Sequence, residues 1–340
     1  MYGKARAPEY QGTLGATLEV NSSYEEVLVA AKRAEEEAST AVERARALLA
    51  VAEAHRRLGQ AAAAGAAWRA SYRAAREAEE PAAMAWALWS GGTLARQCGS
   101  LPLARRLLEL AVSLARAGGD RTARGYALAG LAETGRIQGD YEAVADLHEE
   151  LLREARAHGE ARHIVWAMSG IAQMCRNTGE WDRALALFEE SAAIAAEAED
   201  HRGSAWSLRG VADVLSLRGE TDRALLMLSR AARTCRELHL ASALAYNHKM
   251  RGNVLYRAAR YPQARRAYTV ALTEFAAIQE PRGTALARLG LVKTLARLGR
   301  PAPLTLADLD ALDTEFARIG LSYARRTITE FRAQLPALAA

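Results

Sequence analysis

The sequence repeats itself every forty residues. Gly59, Gly99, Gly139, Gly179 and Gly219 stand in strict register, Ala259 holds the sixth place and Gly299 the seventh. Five residues after each of the first six comes a small or aliphatic side chain: Ala64, Ala104, Val144, Ala184, Ala224, Ala264. A fixed period of this size makes a solenoid, in which each unit buries its apolar face only against its neighbours. Ala, Leu, Arg and Glu dominate, β-branched residues are scarce and only eight prolines interrupt the chain. These are strong helix formers, and the class is all-α.

Each period holds two helices. In residues 205–217, Leu208, Val211, Ala212 and Leu215 form one stripe at helical spacing. Arg218-Gly219-Glu220 breaks it, glycine being the favoured residue where a chain leaves a helix through a left-handed turn. A second helix follows over 221–238, with Ala224, Leu225, Leu228, Ala231 and Ala232 inward. Further turns separate the periods at Glu79-Glu80-Pro81, Gly118-Gly119-Asp120, His158-Gly159-Glu160 and Glu280-Pro281.

Residues 1–21 carry no helical stripe and read as a flexible arm. Ser22 and Ser23 before Glu25 and Glu26 form a capping-box pattern that opens a helix running to about Ala38. The solenoid then spans residues 22–300, and Pro301 and Pro303 break the regular turn. Residues 301–340 read as capping helices, near 305–319 and 322–335, since the last repeat must turn one face to water.

The pattern resembles tetratricopeptide repeats. The sixth unit carries it most fully, with Gly252-Asn253-Val254-Leu255-Tyr256, Ala259-Arg260-Tyr261, Ala264, Tyr268 and Ala271-Leu272. Gly179-Glu180-Trp181 with Ala184 and Phe188, and Gly139-Asp140-Tyr141, repeat it in frame. The unit is 40 residues rather than the common 34. It looks like the variety found in bacterial peptide-sensing regulators, in repeat tails of bacterial signalling ATPases and in cargo adaptors. Ala61, Leu101 and Thr221 depart from the aromatic that follows the turn elsewhere. The resemblance implies a right-handed superhelical solenoid of about seven helix pairs, whose first helices line a concave groove that holds extended peptides or protein segments.

By that resemblance, offsets of 0, 3, 7 and 10 on each first helix line the groove, and these lie on one side of a 3.6-residue helix. The first phase gives Trp86, Tyr126, Trp166, Trp206 and Tyr246, ending at Leu286. The second adds Trp89, Arg209 and Lys249. The third gives Thr93, Glu133, Gln173, Asp213, Asn253 and Lys293. The fourth gives Arg56, Arg96, Arg136 and Arg176, then Ser216 and Tyr256. Aromatics and arginines dominate interface energetics, so these columns read as a ligand-binding surface. Two structural readings compete. The rings equally suit wedges between adjacent first helices, and the arginines equally suit ion pairs with Glu53 and Glu133.

Other chemistry finds little support. The seven histidines show no metal-ligand spacing, and no phosphate-binding glycine loop or nucleophile motif is present. No cofactor and no catalysis are expected. Cys98, Cys175 and Cys235 have no CxxC spacing, and the start of the chain lacks the apolar run of a signal peptide. A cytoplasmic location is expected, with no membrane span. Net charge is +5 and all but four of the 45 cations are arginine. The leading reading is a non-catalytic scaffold whose groove clasps an extended peptide or protein segment bearing apolar or aromatic and acidic groups. Single-stranded nucleic acid is the alternative partner, since aromatic platforms and cations suit it, although Glu53, Glu133 and Asp213 oppose a phosphate track. An atypical enzyme using the groove as a pocket, with Glu133 and Asp213 as paired carboxylates, is the third.

Overall fold

A computed structural model describes residues 24–158 and 161–339. The arm over 1–21 and the Ser22/Ser23 cap lie outside the described residues. Sixteen helices and no strand appear among the described residues. A lone helix α1 (Tyr24–Glu36) comes first. Seven pairs follow. They are α2 (Ala41–Arg57) with α3 (Ala61–Glu77), α4 (Pro81–Gln97) with α5 (Leu101–Ala117), and α6 (Arg121–Gln138) with α7 (Tyr141–His158). Next come α8 (Ala161–Thr178) with α9 (Trp181–Glu197), α10 (His201–Leu217) with α11 (Thr221–Glu237), and α12 (Ala241–Arg257) with α13 (Tyr261–Ala277). The last are α14 (Pro281–Arg297) with α15 (Ala302–Ile319), and α16 (Ser322–Ala339) stands alone. The all-α solenoid of helix pairs read from the repeat is present.

The forty-residue sequence period conceals a twenty-residue backbone period. A residue of positive φ stands at 59, 79, 99, 119 and 139, and again at 179, 199, 219, 239, 259, 279 and 299. At ten of these turns the same bond closes the helix. Gln60 N–H donates to His55 C=O at 2.9 Å, Glu80 to Ala75 at 3.0 Å and Glu220 to Leu215 at 2.9 Å. This six-to-one bond is the Schellman closure, and the residue that donates it leads directly into the next helix. Two-residue turns of this kind explain why α10 starts at His201 rather than Ala205.

Glycine occupies the left-handed place within the pairs, except at Ala259 (φ 56°). Between pairs, Glu79, Glu199, His239 and Gln279 take it with φ of 50–57°. Their side chains show why only half of the turns were visible as glycines. At the far end Pro301 caps α15 with φ −55°, so the prolines start that helix instead of breaking the array. The capping box expected near Ser22 has a described counterpart at Thr40, whose Oγ1 accepts from Glu43 N–H at 3.2 Å. The Glu43 carboxylate in turn accepts from Thr40 N–H at 3.1 Å.

The chain forms two compact units. One holds α1 to α5, most of α6, α7 and the start of α8; the other runs from the rest of α8 to α16. The first is built around Leu49, Trp86, Trp89, Leu108 and Tyr126. The second is built around Phe275 with Ala245 and Ala287, and around Tyr268 with Leu255 and Ala264. In both, a large side chain on a second helix faces first-helix glycines. A Cβ on Gly210 would lie 2.3 Å from the Phe188 ring, and one on Gly290 would lie 2.3 Å from Tyr268. The forty-residue column of these side chains is Trp68, Leu108, His148, Phe188, Leu228 and Tyr268. His148 is the polar member. It is buried, and neither ring nitrogen has a hydrogen-bond partner.

Two predictions follow from the backbone and the column. Ala259→Gly should raise stability by a few tenths to about 1 kcal/mol, because relief of left-handed strain exceeds the gain in unfolded-chain freedom. Gly219→Ala, at φ 82° with open space around it, should lower stability by about 1 kcal/mol. Urea midpoints moving the other way would remove the assignment of strain. Burial pushes the His148 imidazole down to about 4, with Glu133 opposing and Arg136 assisting. The unfolded chain therefore binds more protons between pH 6.5 and 4, and stability falls as pH drops through that window, by about 1.4 kcal/mol per unit. His148→Leu should be more stable at pH 7 and should lose that slope, read as urea midpoints at several pH values.

Candidate functional site

The aromatic column is packed, not open, in the first unit. Trp86 is fully buried, and its Nε1–H donates to Asp120 Oδ2 at 2.8 Å. Its ring lies 5.2 Å from Tyr126 and 5.4 Å edge-on from Trp89. Tyr126 continues the stack to Trp166 at 5.3 Å and to His163 at 4.8 Å. Residues forty apart are neighbours on adjacent first helices, so these rings fill the space between them. The expectation that Trp86, Trp89 and Tyr126 line an open groove is corrected: all three are buried. Trp166 is half-buried at the end of the stack.

The arginine column in the first unit is likewise engaged. Arg56 and Glu53 form a buried pair at 2.6 Å, 7% and 0% exposed, and Ser90 Oγ donates to Glu53 at 2.8 Å. Burial pushes the Glu53 carboxyl up, but the Arg56 charge and its hydrogen bonds outweigh this and hold it below the usual range. Arg136 makes two bonds to Glu133, at 2.7 and 2.8 Å. Arg96 reaches the Gly130 carbonyl at 3.5 Å. Arg162, which the column reading did not include, is buried and donates to Tyr126 Oη at 2.9 Å. Tyr24 of α1 accepts from Arg57 at 3.3 Å.

The second unit arranges the same columns differently. Asp213 is 1% exposed on α10 and bridges two guanidiniums, Arg176 of α8 and Arg257 of α12, the latter at 2.7 Å. Burial pushes its carboxyl up, yet the two arginines hold it below the usual range. One helix further on, Arg209 lies 5.5 Å and Arg282 lies 5.3 Å from the Tyr246 ring centroid. Arg282 also donates to Tyr246 Oη at 2.6 Å, and that hydroxyl donates to Glu280 at 3.0 Å. Lys249 follows Tyr246 by three residues on the same helix and is half-buried. Burial pushes its ammonium down to about 8, Asp213 opposes, and Arg209, Arg282 and Arg176 push it further down. Trp206, Tyr246, Gln173 and Asn253 are half-buried, and Asn253 Oδ1 accepts from Tyr268 Oη at 2.7 Å.

Five cations, Arg176, Arg209, Lys249, Arg257 and Arg282, thus stand with two carboxylates, Asp213 and Glu280. Glu133 and Asp213, the carboxylates weighed for acid–base work, are each committed to arginines. Sequence reasoning missed Arg257 and Arg282. Arg257 lies at offset 11, one residue past the arginine column, and Arg282 lies four residues before the aromatic column. Among the described residues no group of three or more His, Cys, Asp or Glu is placed to hold a metal ion. No described helix is long and apolar enough to cross a membrane.

The family model for the tetratricopeptide repeat matches residues 163–237. The sequence matches no curated protein. Among solved structures, the chain is similar to a Rap protein complexed with competence and sporulation factor, at 13% identity and a TM-score of 0.65. That likeness covers 98% of this chain and 100% of the other. The apo form of the quorum sensor NprR from B. thuringiensis is similar at 12% identity and a TM-score of 0.52, over 80% of this chain and 81% of the other. A signal transduction ATPase with a tetratricopeptide repeat sensor, PH0952 from Pyrococcus horikoshii, is similar at 13% identity and a TM-score of 0.55, over 94% and 55%. At such identities the likeness is one of fold, that of an all-α array of tetratricopeptide-like helix pairs.

The different burial of the aromatic column in the two units predicts different costs. Trp86→Ala should lose roughly 3–5 kcal/mol of stability. Trp206→Ala, at a half-buried ring, should lose much less. Equal urea midpoints for the two variants would contradict the packing described.

Proposed function

We propose that the protein is a binding scaffold that holds an extended peptide or protein segment bearing apolar or aromatic and acidic groups. The observation that carries this reading is the excess of cations beside half-buried Trp206 and Tyr246 in the second unit. Such a face offers apolar surface for side chains and charge for carboxylates, the pairing that dominates interfaces. Gln173, Arg176, Arg209, Asp213, Lys249 and Asn253 supply its polar contacts. In the first unit, Trp166, Arg96, Glu133 and Arg136 are secondary contributors, and the buried Trp86, Trp89 and Tyr126 act as their support. The fold it shares with a Rap protein crystallised with competence and sporulation factor, and with a quorum sensor, supports the same reading. A cytoplasmic peptide-responsive regulator or adaptor is the role proposed.

A displayed library of random linear peptides, selected on the full chain, tests this. Enrichment of sequences that combine acidic and aromatic residues is expected. Arg209→Ala with Lys249→Ala should weaken the selected peptide at least tenfold, two charge-assisted contacts being worth roughly 1.5–3 kcal/mol each. Helicity should be unchanged, since both side chains are half-buried and lie outside the packed core. If no peptide is enriched while oligouridylate binds with a steep salt dependence, the ligand is nucleic acid and the reading fails.

A further inference from the structure

Lysine is rare in this chain, at four of the 45 cations, and arginine is the cation more often found over a ring face. Lys293 nevertheless holds a place built of rings. Its Nζ lies 5.1 Å from the Tyr256 ring centroid on α12 and 5.5 Å from the Phe331 ring centroid on α16. One amine on α14 thus ties the sixth pair and the last described helix to its own. Among the described residues no carboxylate pairs with it within 4 Å. Arg297, one turn further along α14, shares the same tyrosine. Its Nε donates to Tyr256 Oη at 3.4 Å and its Nη2 to Gln334 Oε1 at 3.2 Å, and neither partner is a carboxylate. Like charges four residues apart on a helix oppose each other.

We infer that Lys293 is a modification site for small acyl phosphates, and that its acylation loosens α16. The neutral amine attacks the acyl carbon of the mixed anhydride. A C–N bond forms, the C–O bond to phosphorus breaks, and its electron pair leaves with inorganic phosphate. The surplus proton on nitrogen passes to solvent water. Arg297 stands four residues on to hold the phosphate oxygens, which a planar guanidinium matches. An arginine in place of Lys293 would still cover the rings but would not take the acyl group. That is the chemical difference a lysine makes here.

The surroundings favour the reactive form. Burial pushes the Lys293 ammonium below its ordinary value, Arg257 and Arg297 add to this, and Glu330 opposes. The side chain is half-buried and not sealed from solvent. The product amide carries no charge, so both cation–π contacts vanish, and with them the tie from α14 to Phe331. Repeats support only their neighbours and open locally, so the loss is felt in α16 before the rest of the unit.

The test treats the full chain with acetyl phosphate and reads each site by mass spectrometry after cleavage at arginine. That cleavage leaves Lys293 as the single lysine of peptide 289–297. Lys293 should acetylate at least about threefold faster than the exposed Lys32. Arg297→Gln should slow Lys293 more toward acetyl phosphate than toward N-acetoxysuccinimide, a donor without phosphate. Amide hydrogen exchange over 322–335 should rise about tenfold on acetylation, the worth of one or two cation–π contacts. The same treatment of Lys293→Arg should leave that exchange unchanged, which separates this site from the other lysines. Lys293 reacting no faster than Lys32, equal slowing of the two donors by Arg297→Gln, or unaltered exchange over α16 each overturns the proposal. None of these readouts uses a bound peptide, so the outcome is independent of the scaffold reading.

Discussion

The structure depends on one backbone closure repeated every twenty residues. A helix of about seventeen residues ends in a left-handed residue, the next amide bonds back to the fifth carbonyl before it, and a new helix begins at once. The closure satisfies carbonyls that the helix end would otherwise leave bare. It also fixes the phase at which each helix starts. Identical phases place residues forty apart at equivalent points on neighbouring first helices. The ring stack from Trp86 to Trp166, the Arg176–Asp213–Arg257 bridge and the Arg209–Tyr246–Arg282 arrangement all follow from that alignment.

The two units use the alignment for opposite ends. In the first, successive aromatics pack ring against ring, and Glu53 and Glu133 each pair with an arginine three residues on in the same helix. In the second, Asp213 recruits its arginines from the pairs before and after. A buried carboxylate with two guanidiniums is well satisfied, but removing any one partner leaves a charge stranded. That bridge spans three successive first helices and stiffens the scaffold on which Lys249 and Tyr246 stand.

The array of helix pairs was legible in the sequence because glycine recurs at the turn within each pair. The turns between pairs were half hidden, since Glu79, Glu199, His239 and Gln279 adopt the same backbone without announcing it. The columns were legible too, but their orientation was not. Periodicity places Trp86 and Trp206 at one phase and is blind to the neighbours that bury the first and leave the second half-open. Likewise, Arg136 and Arg176 share a column. Only the three-dimensional arrangement shows that one pairs within its own helix and the other reaches across to the next.

The glycine-facing side chains have a consequence for how such a chain can change over evolutionary time. Leu108 presses on Gly92 of its own pair and on Gly130 of the next, and Tyr268 does the same with Gly252 and Gly290. Each pair therefore carries half of a key for its successor. Duplicating or excising a forty-residue block preserves the backbone phase yet sets a bulky side chain against an unmatched partner. Growth or shrinkage of this array is thereby confined to blocks whose ends happen to fit, which makes its repeats an ordered series and not interchangeable modules.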